Sequence, residues 1–220
     1  EIDPNDADSY SNRGNAKCDL KDYQGAIVDY KKALSINPED AETYTNLGNA
    51  KDNLGDYKGA IKDYNKALNI NSNIASSYYN RGVCKYNSGD YQGAIDDHNR
   101  SIELDPMNFD AYTNRGVSKS YLKDYQGAIA DYTKAIQINP QDADAYYNRG
   151  NTKYHLTDGY FYRGYAKGEL GDYQRAIADY NKAIELNPQL AHAYYNRGIA
   201  KVELKDTQGA IADYNKAIEI

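Results

Sequence analysis

Asparagine returns every 34 residues, at Asn12, Asn46, Asn80, Asn114 and Asn148, and after one interruption, where Tyr162 takes its place, again at Asn196. A carboxamide carries both a donor and an acceptor, which is what holding a peptide backbone requires whatever side chains that peptide bears. Beside it runs a second row, Ser11, Thr45, Tyr79, Thr113, Tyr147, Phe161 and Tyr195, and a third, Asn15, Asn49, Val83, Val117, Asn151, Tyr165 and Ile199. Toward the N-terminus the rows are small and polar, with Asp8, Glu42 and Asp52 nearby; toward the C-terminus they become aromatic, joined by Tyr86, Tyr121 and Tyr154. Tyrosines offer a low-entropy surface to apolar or cationic side chains. Such residues suit a neutral to basic extended segment, held by amides and sorted by aromatic contacts. Duplication of a unit would by itself also repeat the asparagine.

Other chemistry is poorly provided for. His98 stands where other copies have tyrosine and reads as a core substitution, while His155 and His192 have no second His or Cys at ligand spacing, so no metal site is expected. Cys18 and Cys84 occupy different places in the unit, which argues for free thiols and, through them, a reducing compartment such as the cytoplasm. No phosphate-binding glycine loop, nucleophile elbow or His-Glu-x-x-His motif occurs, and the aspartates recur with the fold instead of converging as an acid/base pair. Neither an enzyme activity nor a cofactor is expected. The net charge of −6, with 26 basic residues spread among 32 acidic ones, provides no basic stripe for nucleic acid. The mean hydropathy of −0.90 comes with no apolar run able to span a bilayer and no signal-peptide pattern.

The elements that carry these rows follow from the period. Tyr10, Gly14 and Lys17 share one face at helical spacing, giving a first helix per unit. Asp22 then supplies an N-cap, repeated as Asp56, Asp90, Asp124, Asp172 and Asp206, before an apolar stripe spaced like Tyr23, Ala26, Ile27, Tyr30, Ala33 and Leu34. This second helix is expected to stop because of proline at the junction, as at Pro4, Pro38, Pro106, Pro140 and Pro188, with Ser72 the exception. Gly14 and its equivalents Gly48, Gly82, Gly116, Gly150, Gly164 and Gly198 weaken a helix, so close helix contact must require them. Most of the 25 tyrosines are then structural, since the chain has no Trp and two Phe from which to build a core.

With its 34-residue period, paired helices and aromatic, glycine, alanine and proline frame, the chain resembles the tetratricopeptide repeat family over essentially its whole length. The resemblance implies an all-α solenoid of helix-turn-helix units wound as a right-handed superhelix, with first helices lining a concave wall. It implies a protein-interaction scaffold, and places peptide contacts at Asn12, Asn46, Asn80, Asn114, Asn148, Asn196, Tyr79, Tyr147, Phe161 and Tyr195. A self-association module, or a regulatory array of a larger protein, remain alternatives. The variant of the family that clamps acidic tails needs Lys or Arg in the second and third rows, which contain neither, so acidic partners are not expected. Where the family places leucine this chain has Arg13, Arg81, Arg115, Arg149, Arg163 and Arg197, with Leu47 conforming, and lysines such as Lys17 stand where the family has an aromatic. Asp29, Asp63, Asp97, Asp131, Asp179 and Asp213 are offered to these bases as a ladder between helices, the lysines being expected to run to solvent instead.

The units span 7–40, 41–74, 75–108, 109–142, 143–158 (a first helix alone), 157–190 and 191–220. Glu1-Ile2-Asp3-Pro4 has the form of the end of a preceding unit and the last helix lacks a polar cap, so the segment reads as one array excerpted from a longer chain, able to self-associate through its ends. At Asp158 the phase jumps by 14 residues, 20 short of a full unit. An unseen stretch, a turn at Asp158-Gly159, or one continuous helix from Ala143 to Leu170 would each account for it. Fourteen residues return within roughly 40° of the starting direction, so a continuous helix would keep both core stripes aligned and leave the face around Tyr146 and Gly150 open to a second chain.

Overall fold

A computed structural model describes residues 6–220, so the expectation attached to Pro4 lies outside the described residues. The described residues form helices only: α1 (Ala7–Asp19), α2 (Tyr23–Ile36), α3 (Ala41–Asn53), α4 (Tyr57–Ile70), α5 (Ala75–Asn87), α6 (Tyr91–Leu104), α7 (Phe109–Tyr121), α8 (Tyr125–Ile138), α9 (Ala143–Glu169), α10 (Tyr173–Leu186), α11 (Ala191–Glu203) and α12 (Thr207–Glu219). They fall into two compact units, Glu1–Ala145 and Tyr146–Ile220, divided within α9. In the first, α1 to α8 pack as successive pairs, with α2, α4 and α6 also touching the next first helix. In the second, the C-terminal part of α9 packs with α10, and α11 with α12.

Every second helix starts in the same way. Asp22, Asp56, Asp90, Asp124, Asp172 and Asp206 accept a hydrogen bond from the backbone N–H three residues on, satisfying an orphan donor of the first turn. Glycine at that third position brings the carboxylate close; where Arg175 replaces it the bond lengthens to 3.4 Å, against 2.9 Å at Gly25. The preceding turn needs a left-handed residue, supplied by Gly55, Gly89 and Gly171 and, with φ near +60°, by Lys21, Lys123 and Lys205. Proline is not required to end a second helix. α4 stops at Ile70 before Ser72 as α2 stops at Ile36 before Pro38, with an extended Asn at the C-cap in both.

Each helix pair is built on one close contact. A Cβ placed on Gly14, Gly48, Gly116, Gly164 or Gly198 would lie 2.5 to 2.9 Å from the ring of Tyr30, Tyr64, Tyr132, Tyr180 or Tyr214, and on Gly82 it would meet His98 at 2.7 Å. The aromatic ring thus sits where a side chain would otherwise stand, and Tyr30, Tyr64 and Tyr132 are almost completely buried. Ala26, Ala60, Ala94, Ala128, Ala176 and Ala210, all 0 or 1% exposed, let the helices approach.

The residue before each ring is the buried aspartate, and the ladder forms in all six complete pairs. Arg13, Arg81, Arg115, Arg163 and Arg197 each grip their aspartate through Nε and Nη2, as Arg115 does Asp131 at 2.9 and 2.6 Å. The lysines do not run to solvent. Lys17, Lys85, Lys119, Lys167 and Lys201 reach the same aspartates at 2.7 to 2.9 Å, and Lys51 alone serves Asp63 beside Leu47. A carboxylate has two oxygens, and the arginine leaves enough capacity on one of them for the ammonium. The Arg13 and Arg163 guanidiniums hold Asp29 and Asp179 below the usual carboxylate range. Arg81, Arg115 and Arg197 add a third bond to Asn65, Asn99 and Asn181 of the preceding second helix.

The phase break is one continuous helix. α9 runs through Asp158 and Gly159 for 27 residues, which settles the choice among the three readings of the break.

Two consequences can be measured. Gly48→Ala and Gly116→Ala force a Cβ into a buried ring and are expected to cost about 1–3 kcal/mol, whereas Gly150→Ala, which meets nothing within 4 Å, gains up to about 1 kcal/mol from helix propensity. Urea unfolding of the three variants checks the opposite signs. Burial lowers the pKa of His98 to about 4, outweighing Asp97 and Asp131, which raise it, while Arg115 and Lys85 lower it further. The unfolded chain takes up that proton near pH 6.5, so between there and about 4 the unfolded state binds more protons and stability falls as pH falls. His98→Tyr is expected to remove on the order of 2 kcal/mol of this acid loss, read as a smaller drop in the urea midpoint on acidification. Equal drops in both proteins would contradict it.

Candidate functional site

The first-helix rows form the candidate site, and the structure divides them into residues that bind the fold and residues that face outward. In the first unit a relay ties rings to asparagines. The Tyr30 hydroxyl donates to Asn15 Oδ1 at 2.8 Å, and Asn46 Nδ2 donates to the same oxygen at 3.2 Å. One repeat on, Tyr64 donates to Asn49 Oδ1 at 2.8 Å and so does Asn80 Nδ2 at 2.8 Å. Burial raises the Tyr64 pKa, which keeps its hydroxyl a donor. The relay changes at the third copy because Val83 replaces the accepting asparagine and His98 the tyrosine; Asn114 Nδ2 donates instead to the Tyr79 hydroxyl at 3.0 Å.

The second row is largely taken up between neighbouring first helices. Ser11 Oγ lies 2.8 Å from Thr43 Oγ1, Thr45 Oγ1 lies 2.7 Å from Ser77 Oγ, and Thr113 donates to Asp142 at 3.1 Å. Thr45 and Thr113 are buried, and the half-buried Tyr79 packs its ring on His98 with centroids 5.7 Å apart. In the second unit the row is more open. Tyr147 is 69% exposed and Tyr195 54%, while Phe161 is half-buried against Tyr180 at 6.1 Å. Of the remaining asparagines, Asn12 is exposed, Asn148 and Asn196 are half-buried, and Asn196 donates to the His192 carbonyl at 3.0 Å. The Asn196 bond is local to α11, made within one turn of its own helix.

Three clefts collect these residues. Asn46, Asn49 and Asn80 line one of about 530 Å³ between α3 and α5, with Asp40, Glu42 and Ile74 on its rim. Asn196 and Ile199 line another of about 340 Å³ with Tyr165, Tyr173 and Glu203. Tyr195, His192, Tyr214 and Ile218 form an apolar third of about 470 Å³ between α11 and α12. Among the described residues no three or more His, Cys, Asp or Glu gather as a metal would require, and no helix is long and apolar enough to cross a membrane. Cys18 and Cys84 are free thiols, and burial pushes the Cys84 thiol up.

Comparison with known proteins accords with this repeating geometry. The family profile described as TPR repeat matches residues 14–52, 121–156 and 164–205, and tetratricopeptide repeat profiles match 41–74, 75–108 and 191–220. The chain belongs to the tetratricopeptide repeat family. No curated protein sequence matches it. Among solved structures, the repeat array is similar to pilF of Pseudomonas aeruginosa, at 20% identity over 94% of this chain and 88% of that one, with a TM-score of 0.62. A tetratricopeptide repeat protein from Parabacteroides merdae is 20% identical over 97% of this chain and 79% of its own, with a TM-score of 0.59. YrrB, described as a TPR protein with an unusual peptide-binding site, is 24% identical over 86% and 91%, with a TM-score of 0.52. At these identities the likeness establishes the fold, an array of helix-turn-helix repeats.

The relay and the open row separate by stability. Tyr147→Ala and Asn12→Ala are expected to change unfolding free energy by no more than about 0.5 kcal/mol. Asn49→Ala removes the acceptor of both Tyr64 and Asn80 and is expected to cost about 1–3 kcal/mol. Thermal melts of the single variants check the ordering.

Proposed function

We propose that this tetratricopeptide repeat array is a protein-interaction scaffold that holds an extended, neutral to basic peptide segment along its first helices. The observation that carries the reading is the cleft between α3 and α5, where Asn46, Asn49 and Asn80 converge within one space of about 530 Å³. An amide side chain has two donors and an acceptor with two lone pairs, so a single bond to the neighbouring repeat leaves Asn46 and Asn80 with capacity for a peptide backbone. Asp40 and Glu42 at the rim favour a cationic side chain and disfavour an acidic tail. In the second unit, the exposed Tyr147 and Tyr195 offer aromatic surface of their own. That YrrB, of the same fold, is described by a peptide-binding site agrees with this use of the fold.

The scaffold reading is non-catalytic. The aspartates and bases of the ladder are committed to one another, two bases to most carboxylates, and are not available there for proton transfer.

Screening a fluorescent peptide library against the full chain tests the proposal. A basic or neutral class is expected to bind, to lose about tenfold in affinity in the Asn46→Ala, Asn80→Ala double variant, and to weaken with added salt and in Glu42→Gln. Binding unchanged by all of these substitutions, or preference for acidic peptides, would overturn it.

A further inference from the structure

One glycine notch has no ring in it. Gly14, Gly48, Gly82, Gly116, Gly164 and Gly198 are buried beneath an aromatic side chain, whereas Gly150 is exposed and a Cβ built on it would meet nothing within 4 Å. The surroundings of the notch are otherwise those of a complete repeat. Arg149 lies over the Tyr146 ring at 5.3 Å, the same distance as Arg81 over Tyr78, Arg115 over Tyr112 and Arg197 over Tyr194. Lys153, one turn along, occupies the place from which Lys85, Lys119 and Lys201 reach a buried aspartate, and is exposed. Gly150, Lys153, Tyr154, Thr157 and Asp158 line one side of an open cleft of about 230 Å³ whose other side is Leu186 and Leu190. Tyr146 and Tyr154 are 47% and 65% exposed.

What fits such a face is visible six times in the same chain. Each complete second helix presents alanine, then aspartate three residues later, then an aromatic: Ala26, Asp29 and Tyr30 in the first, Ala176, Asp179 and Tyr180 in the fifth. The aromatic fills the glycine notch, the aspartate meets the two bases on either side of it, and the alanine permits the approach. We propose that the face of α9 from Tyr146 to Tyr154 is a helix-docking site, taking from a partner protein an amphipathic helix that carries Ala-x-x-Asp-aromatic on its apolar side. Charge selects this occupant. Lys153 stands exposed where Lys85, Lys119 and Lys201 meet a buried aspartate, which favours a helix bearing a carboxylate among apolar residues. A second copy offers its own six such helices only by unseating one from its glycine and its ladder.

The probe is a helical peptide with the sequence of residues 172–187, constrained by a lactam bridge on its outward face because an isolated helix of this length is marginal in water, and labelled for fluorescence anisotropy against the full chain. One-to-one binding is expected, weakened about tenfold or more by Gly150→Leu in the protein and by Asp179→Asn in the peptide, and unaffected by the Asn46→Ala, Asn80→Ala variant. Gly150→Leu adds a side chain where there is space and retains the helix, which circular dichroism confirms. No binding, or binding indifferent to Gly150→Leu or to Asp179→Asn, overturns the site. A dimer by sedimentation that dissociates in Gly150→Leu puts a second copy on the face and overturns the assignment to a separate partner.

Discussion

The contact between a first-helix glycine and a second-helix ring sets the rest of the structure. Without a Cβ on Gly48, the ring of Tyr64 lies directly on the helix backbone, and the two axes are drawn close enough for Asp63, one residue earlier, to be buried beside Lys51. Burial of a carboxylate among apolar atoms costs several kcal/mol unless it is paired and hydrogen-bonded, so the close approach itself creates the need for bases at fixed places. Arginine immediately before the glycine and lysine three residues after it meet that need from one helix face. The Arg-Gly-x-x-Lys and Asp-Tyr signatures are therefore two sides of one contact.

The same contact explains a core poor in large aliphatic residues. Tyr30, Tyr64 and Tyr132 provide volume at the centre of their pairs, and the hydroxyls of Tyr30 and Tyr64 extend to asparagines at the first-helix surface. His98 fills the notch at Gly82 but does not make the polar link, since neither ring nitrogen has a partner among the described residues. The helix pair is kept, and what changes is its response to acid, because a buried neutral imidazole is protonated less readily than an exposed one.

Period and residue type make the helices, their aspartate caps and the glycine notches legible in the sequence, since each depends on contacts within one unit. What lies beyond it are contacts between units. Thr45 and Thr113 share a face with the asparagine row, and nothing in their spacing says that the next first helix comes near enough to bury them; the structure has Thr45 bonded to Ser77 and Thr113 to Asp142. The asparagines recur for two reasons that periodicity cannot separate, because Asn46 and Asn80 tie adjacent repeats while also lining a cleft. The lysines mislead for a related reason: a long side chain reads as solvent-seeking until the spare lone pairs of a clamped carboxylate are counted. Ser72 shows the limit of a punctuation rule, as the helix before it ends on schedule through its C-cap geometry.

The break in α9 follows from helix geometry more than from any special residue. A spacing of 14 residues between equivalent positions turns the helix by a near-whole number of turns, so Gly150 and Gly164 point within roughly 40° of one another and lie about 21 Å apart along the axis. A spacing far from this phase would carry one of the two notches to the wrong side of the helix. Here Gly164 keeps Tyr180 and its aspartate, whereas no ring stands within 4 Å of a Cβ at Gly150. Arg163 registers the break from the other side: its side chain is 57% exposed where Arg81, Arg115 and Arg197 are 16%, and it lacks the third bond that those three make to a preceding second helix. Gly159 does not interrupt α9 because an exposed helical glycine costs only about 1 kcal/mol, less than breaking the run of backbone hydrogen bonds on either side of it. The helix α9 thus runs through the break with the Gly150 notch exposed, while Gly164 keeps its ring and its aspartate.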